Sequence, residues 1–183
     1  GGTFNRGTSS IYMNGSGQIN CNQQINNLYL NPTAPQTVSI TTNNLDIDGL
    51  LNLNSNATLN FVPASTVTLN VNSTTTNRGT ISGVNTSGLI TFNGVADSTS
   101  AGIVSSGSGG IVCNNTVDFT GGTLNGSVTG DPNLIFNNSV TFGTYNHNND
   151  RVYITNGTLT TNNQTFYDLD ITTNSVTLAN SLN

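Results

Sequence analysis

The chain has 183 residues, three Lys or Arg against eight Asp or Glu, and a formal net charge of -5, with charged residues at 6% of the total. Ordinary globular chains are about 25% charged, so solubility here has to come from amides and hydroxyls. The three arginines (Arg6, Arg78, Arg151) are scattered and form no basic stripe for a phosphate backbone, which argues against nucleic acid as a partner. No apolar run approaches the roughly 20 residues that a membrane-spanning helix needs.

In chain order, one pattern recurs: apolar, any residue, apolar, then Asn or Thr. It occurs as "IYMN" from Ile11, "LYLN" from Leu28, "LNLN" from Leu51, "LNVN" from Leu69, "ITFN" from Ile90, "IVCN" from Ile111, "LIFN" from Leu134, "VYIT" from Val152 and "LDIT" from Leu169. In a strand the first and third residues share one face and the second points away, so each match reads as a short strand over a core. The fourth position is Asn14, Asn31, Asn54, Asn72, Asn93, Asn114 and Asn137, then Thr155 and Thr172. Asn accepts the left-handed backbone of a sharp corner, and stacked Asn side chains hydrogen-bond along an axis. The expectation is an all-β chain: a parallel β-helix (β-solenoid) of about nine coils of roughly 20 residues, one domain over 1–183, held by a structural Asn ladder. The alternative is an antiparallel β-sandwich, because "NG" at Asn14, Asn93, Asn125 and Asn156 is a hairpin signal.

A longer echo lies over the short one. Residues 2–45 resemble 143–183: Gly2 pairs with Gly143, Phe4 with Tyr145, Ile11 with Val152 and Tyr12 with Tyr153, at an offset of 141 (152 − 11). Seven short steps span that offset, so the eighth coil is expected to return to the phase of the first. The "GTF" and "GTY" openings, the "NNLYL" and "YDLDI" strands and the "LITFNG" and "LIFNN" coils resemble the extracellular parallel β-helix repeat proteins of bacterial and archaeal cell surfaces, a group that includes large adhesins. That resemblance implies an exported, structural or adhesive role at the cell surface.

Residues that could carry chemistry are few. Asp46 and Asp48 share one side of a strand, and a carboxylate pair so placed could bind calcium or act as acid and base; the preferred reading is solvated outward charge that discourages stray strand pairing. His147 has no Ser or Cys at motif spacing and reads as a loop histidine. No catalytic residue and no cofactor are expected. Tyr12, Tyr29 and Tyr153 occupy the outward middle position and are candidates for an interface or for stacking on sugar rings. Cys21 and Cys113 both read as inward, but four or five coils at about 4.8 Å each exceed the reach of a disulfide, so they are expected as free thiols. Asn-x-Ser/Thr sequons are as frequent as composition alone predicts; the accessible candidates for glycosylation are Asn56, Asn85, Asn125, Asn156 and Asn163. Ice binding would need a Thr-x-Thr ladder, for which only Thr66 and Thr68 and a few weaker cases offer a start.

A solenoid has two open edges, and neither end of this sequence reads as a polar cap. The functional expectation is a structural subunit of an extracellular filament or surface stalk, with further copies of itself as head-to-tail partners. The alternative is a carbohydrate-binding or depolymerising β-helix module, with glycans as partners.

Overall fold

Strict alternation turns these segments into strands: in Ala57–Phe61, for example, Ala57, Leu59 and Phe61 are buried while Thr58 and Asn60 are half-buried between them. The computed structural model describes residues 6–21, 23–41, 44–62, 66–84, 87–127, 133–172, 175–180 and 182. Among these residues there is no helix, and every strand pairing is parallel. Sheet 1 has nine strands: Ser10–Met13, Asn27–Leu30, Leu51–Leu53, Thr75–Asn77, Ala96–Asp97, Val117–Asp118, Val140–Thr141, Gly157–Thr160 and Val176–Leu178. Sheet 2 has seven: Gly17–Ile19, Gln36–Ile40, Ala57–Phe61, Thr80–Ser82, Ile103–Ser105, Thr123–Asn125 and Thr144–Asn146. Sheet 3 has seven: Asn44–Ile47, Thr68–Val71, Ile90–Phe92, Ile111–Cys113, Asn133–Phe136, Arg151–Ile154 and Asp168–Ile171. The chain visits sheets 1, 2 and 3 in turn and then repeats, which makes a three-sided parallel β-solenoid of about seven turns.

The expectation of about nine coils is therefore too high, and the register shows why. The matches at Ile11, Leu28 and Leu51 lie on sheet 1, whereas those from Leu69 to Leu169 lie on sheet 3. The step from Leu51 to Leu69 moves two sides around the coil instead of three. For the same reason the 141-residue echo does not restore the phase: Ile11 is on sheet 1 and Val152 on sheet 3. Strands of different sheets end in the same apolar–polar pattern, so similarity between segments does not fix which sheet a segment joins.

The sandwich alternative is overturned by the parallel pairing. The "NG" dipeptides lie at the ends of strands or between strands of different sheets, not in hairpins. At Asn93-Gly94 a Cβ on Gly94 would fall 2.1 Å from the Ser73 carbonyl oxygen, so successive corners touch through backbone and leave no room for a side chain.

The interior is a set of apolar stacks. On sheet 3, Leu45, Leu69, Ile90, Ile111, Leu134 and Val152 lie one above another and are fully buried. Sheet 1 interrupts its apolar lining with buried Thr75, Asn77 and Ser98. The Asn77 amide is satisfied there, donating to Ser98 Oγ (3.3 Å) and to the Ile103 carbonyl (3.0 Å) and accepting from the Gly79 N–H (3.1 Å). Toward the last coils, Phe136, Phe142, Tyr145 and Phe166 pack together, with Phe142 edge to face on Phe136 and Phe166 and Tyr145 tilted against Phe142 and Phe166.

Ile90, buried between Leu69 and Ile111, tests this stacking. Ile90→Ala is expected to cost about 2–5 kcal/mol in denaturant titration, whereas Thr91→Ala on the outward face stays within about 0.5 kcal/mol.

Candidate functional site: side-chain ladders and the solenoid ends

The corner that follows sheet 3 carries a continuous chain of side-chain hydrogen bonds. Asn72 Nδ2 donates to Asp48 Oδ1 (3.0 Å), Asn93 Nδ2 to Asn72 Oδ1 (2.8 Å), Asn114 Nδ2 to Asn93 Oδ1 (2.6 Å) and Asn137 Nδ2 to Asn114 Oδ1 (2.7 Å). Thr155 Oγ donates to Asn137 Oδ1 (2.9 Å) and closes the series. Backbone bonds hold the same corner, with the N–H of Asn93 on the Val71 carbonyl and that of Asn114 on the Phe92 carbonyl, both at 2.8 Å. The four consecutive asparagines Asn72, Asn93, Asn114 and Asn137 are ladder residues, as the spacing predicts.

Asn14, Asn31 and Asn54 are not. They follow strands of sheet 1, a different corner. Asn54 donates to the Pro32 carbonyl (2.9 Å) and accepts from the Asn56 N–H (3.0 Å), an Asx turn, not an inter-coil Asn pair. Nor does the left-handed backbone explain the ladder. The non-glycine residues with positive φ among those described are Ser100, Ala101, Asn148, Asn149, Asn162 and Asn163, none of them a ladder position. What selects Asn at this corner is an amide that donates and accepts at once.

Asp48 is an addition that the Asn pattern misses. Its second oxygen pairs with Arg6. The Asn72 amide first and the Arg6 guanidinium second hold the Asp48 carboxyl below its ordinary value of 3.8. Asp46 accepts from Asn70 Nδ2 (2.7 Å). Both members of the calcium candidate are thus engaged by neighbouring side chains, and among the described residues no three His, Cys, Asp or Glu side chains gather as a metal cluster would require.

The other two arginines also bridge to carboxylates. Arg78 makes a two-pronged pair with Asp97 (Nη1–Oδ1 3.0 Å, Nη2–Oδ2 2.7 Å) that draws the carboxyl down to about 2. Arg151 Nε donates to Asp168 (2.7 Å) and Nη1 to Tyr153 Oη (3.3 Å). A second amide series runs on sheet 2, from Asn146 to Asn125 (2.7 Å) and from Asn125 to Ser105 Oγ (3.0 Å). Asn125, one of the glycosylation candidates, is half-buried and its amide both donates and accepts in this series. Asn56 is half-buried with its Nδ2 on the Pro32 carbonyl (3.4 Å), Asn156 and Asn163 are exposed, and Asn85 lies outside the described residues.

Tyr12 and Tyr29 are register partners on sheet 1, with ring centroids 4.8 Å apart and planes 12° from parallel. Tyr153 stands on sheet 3 beside Ile135 and Asp170, away from that pair. Cys21 and Cys113 are free thiols; Cys113 is buried, and burial pushes its pKa up. His147 lies in the turn after the last strand of sheet 2, as a loop histidine would.

Both ends of the coil stack carry apolar surface. At the first coil an apolar recess of about 230 Å³ is lined by Ile11, Ile19, Cys21, Ile25 and Leu28. At the other end Ile171, Leu178 and Leu182 are exposed by 39%, 46% and 45%. No family model, no curated protein and no solved structure matches this chain.

Two outcomes follow from the ladder and its ion pairs. Asn93→Ala leaves the Asn114 amide without its acceptor and Asn72 without its donor, and is expected to cost about 1 kcal/mol in denaturant titration; Asn14→Ala, outside the ladder, stays within about 0.5 kcal/mol. Asp48 and Asp97 are both held below the unfolded value of 3.8, so their contribution is complete above about pH 4 and lost as pH falls toward 2. Unfolding curves between pH 5 and pH 2 are expected to show that loss, reduced in Asp97→Asn.

Proposed function

We propose that the chain is a structural subunit of an extracellular filament or surface stalk, extended by docking the last coil of one copy on the first coil of the next. The observation that carries this reading is the apolar character of both ends: the recess lined by Ile11, Ile19, Ile25 and Leu28 at one, exposed Leu178 and Ile171 at the other. Edge strands of a parallel sheet offer unpaired N–H and C=O groups to a further strand, and an apolar cross-section adds the burial that makes such addition favourable. A repeated head-to-tail contact that does not close produces a filament. The role is assembly, not catalysis.

The test is electron microscopy with helical reconstruction, alongside sedimentation. The expected result is rods that lengthen with concentration and have an axial repeat set by the nine stacked strands of sheet 1, about 43 Å. Leu178→Asp, at an exposed position, is expected to shorten them without lowering the melting temperature. A chain that stays monomeric at every concentration, or that associates side by side, overturns the proposal.

A further inference from the structure

Sheet 2 stops one coil before its neighbours. After Thr144–Asn146, residues 161–167 cross from sheet 1 to sheet 3 without a strand. In place of the next strand, the Gln164 side chain takes the Tyr145 N–H (2.9 Å). The gap is a cleft of about 710 Å³, within the roughly 300–1,000 Å³ range of small-molecule sites.

Its walls are two turns from successive coils, each built on a pair of left-handed asparagines: Asn148 and Asn149 (φ 45° and 71°) and Asn162 and Asn163 (φ 49° and 63°). Most amides here are committed, Asn146 to Asn125, Asn148 Nδ2 to the Gly126 carbonyl (3.1 Å) and Gln164 to Tyr145. Asn149 and Asn163, one from each turn, line the cleft with side-chain amides that make no hydrogen bond among the described residues. Tyr145, which also lines the cleft, is 6% exposed and its hydroxyl has no hydrogen-bond partner among the described residues. His147, another lining residue, stacks on Tyr167 (centroids 6.2 Å apart, planes at 24°), and Tyr167 is 63% exposed.

We propose that this cleft binds an uncharged saccharide. Free amides that donate and accept suit the hydroxyls of a sugar ring, and an exposed aromatic face suits its C–H face. None of the lining residues is Asp, Glu, Lys or Arg, so no permanent positive charge there compensates the charge of a uronic acid or a sulfate. The site lies in the last coils, where sheet 2 ends, and is defined by its own lining rather than by end-to-end joining.

Isothermal titration and saturation-transfer NMR of the full chain against cellohexaose, mannohexaose, xylohexaose and an alginate hexamer test the proposal. At least one neutral hexamer is expected to bind, and the alginate hexamer to bind more weakly or not at all. Asn149→Gly and Asn163→Gly remove an amide while keeping the left-handed turn, and each is expected to weaken binding about fivefold. Tyr167→Ala is expected to weaken it about tenfold. Melting temperatures of the glycine variants should match the parent. Failure of all three neutral hexamers to bind, preference for alginate, or affinity unchanged in every variant overturns the proposal.

Discussion

In-register parallel stacking governs this molecule. At about 4.8 Å between strands, the residue one coil away is a closer lateral neighbour than the next residue on the same face. Any side chain that repeats at one register position therefore stands on its own kind. For apolar residues this is favourable, as in the stack from Leu45 to Val152. For charges it is not. Asp97 and Asp118 are register partners on sheet 1, and Arg78 clamps Asp97 beside that like-charged contact. Elsewhere the stack alternates sign or charge state, as with Arg151 on Asp168 and Asn70 on Asp46. Asparagine escapes the problem because it complements itself, and the low charge and abundant amides of the sequence follow from the geometry of stacking.

Self-complementation also gives the ladder a direction. Every Nδ2 donates toward the first coil and every Oδ1 accepts from the coil after it. Such a series ends best on a group that accepts without having to donate. Asp48 is that group, with Arg6 on its free oxygen. At the opposite end stands Thr155, whose hydroxyl donates to Asn137.

Strand character and fold class were legible in the sequence because alternation directly reports which face is buried. The four ladder asparagines from Asn72 to Asn137 were legible because they follow strands of one sheet. Asn14, Asn31 and Asn54 satisfy the same local pattern, yet sheet identity depends on the accumulated length of every preceding corner. That length varies: Leu45 to Leu69 is 24 residues (69 − 45) and Val152 to Leu169 is 17 (169 − 152). The Asn125–Asn146 contact and the Arg78–Asp97 pair were hidden by the same drift, because their residues become neighbours only once the register is known. The tyrosine pair was visible because Tyr12 and Tyr29 belong to adjacent strands with no intervening slippage.

The shortest coils show what that variation does to the surface. Seventeen residues do not hold three full strands and three corners, and both 17-residue steps give up a strand. In the first, Ile11 to Leu28 (28 − 11), sheet 3 shrinks to the single bridge between Ile25 and Ile47. In the last, the sheet 2 strand is missing among the described residues, and the Gln164 side chain does what its backbone would have done. A regular coil would have covered the outer edge of Thr144–Asn146 and filled the space between the two asparagine turns. The cleft is thus a product of coil length, and it arises where the repeat is broken.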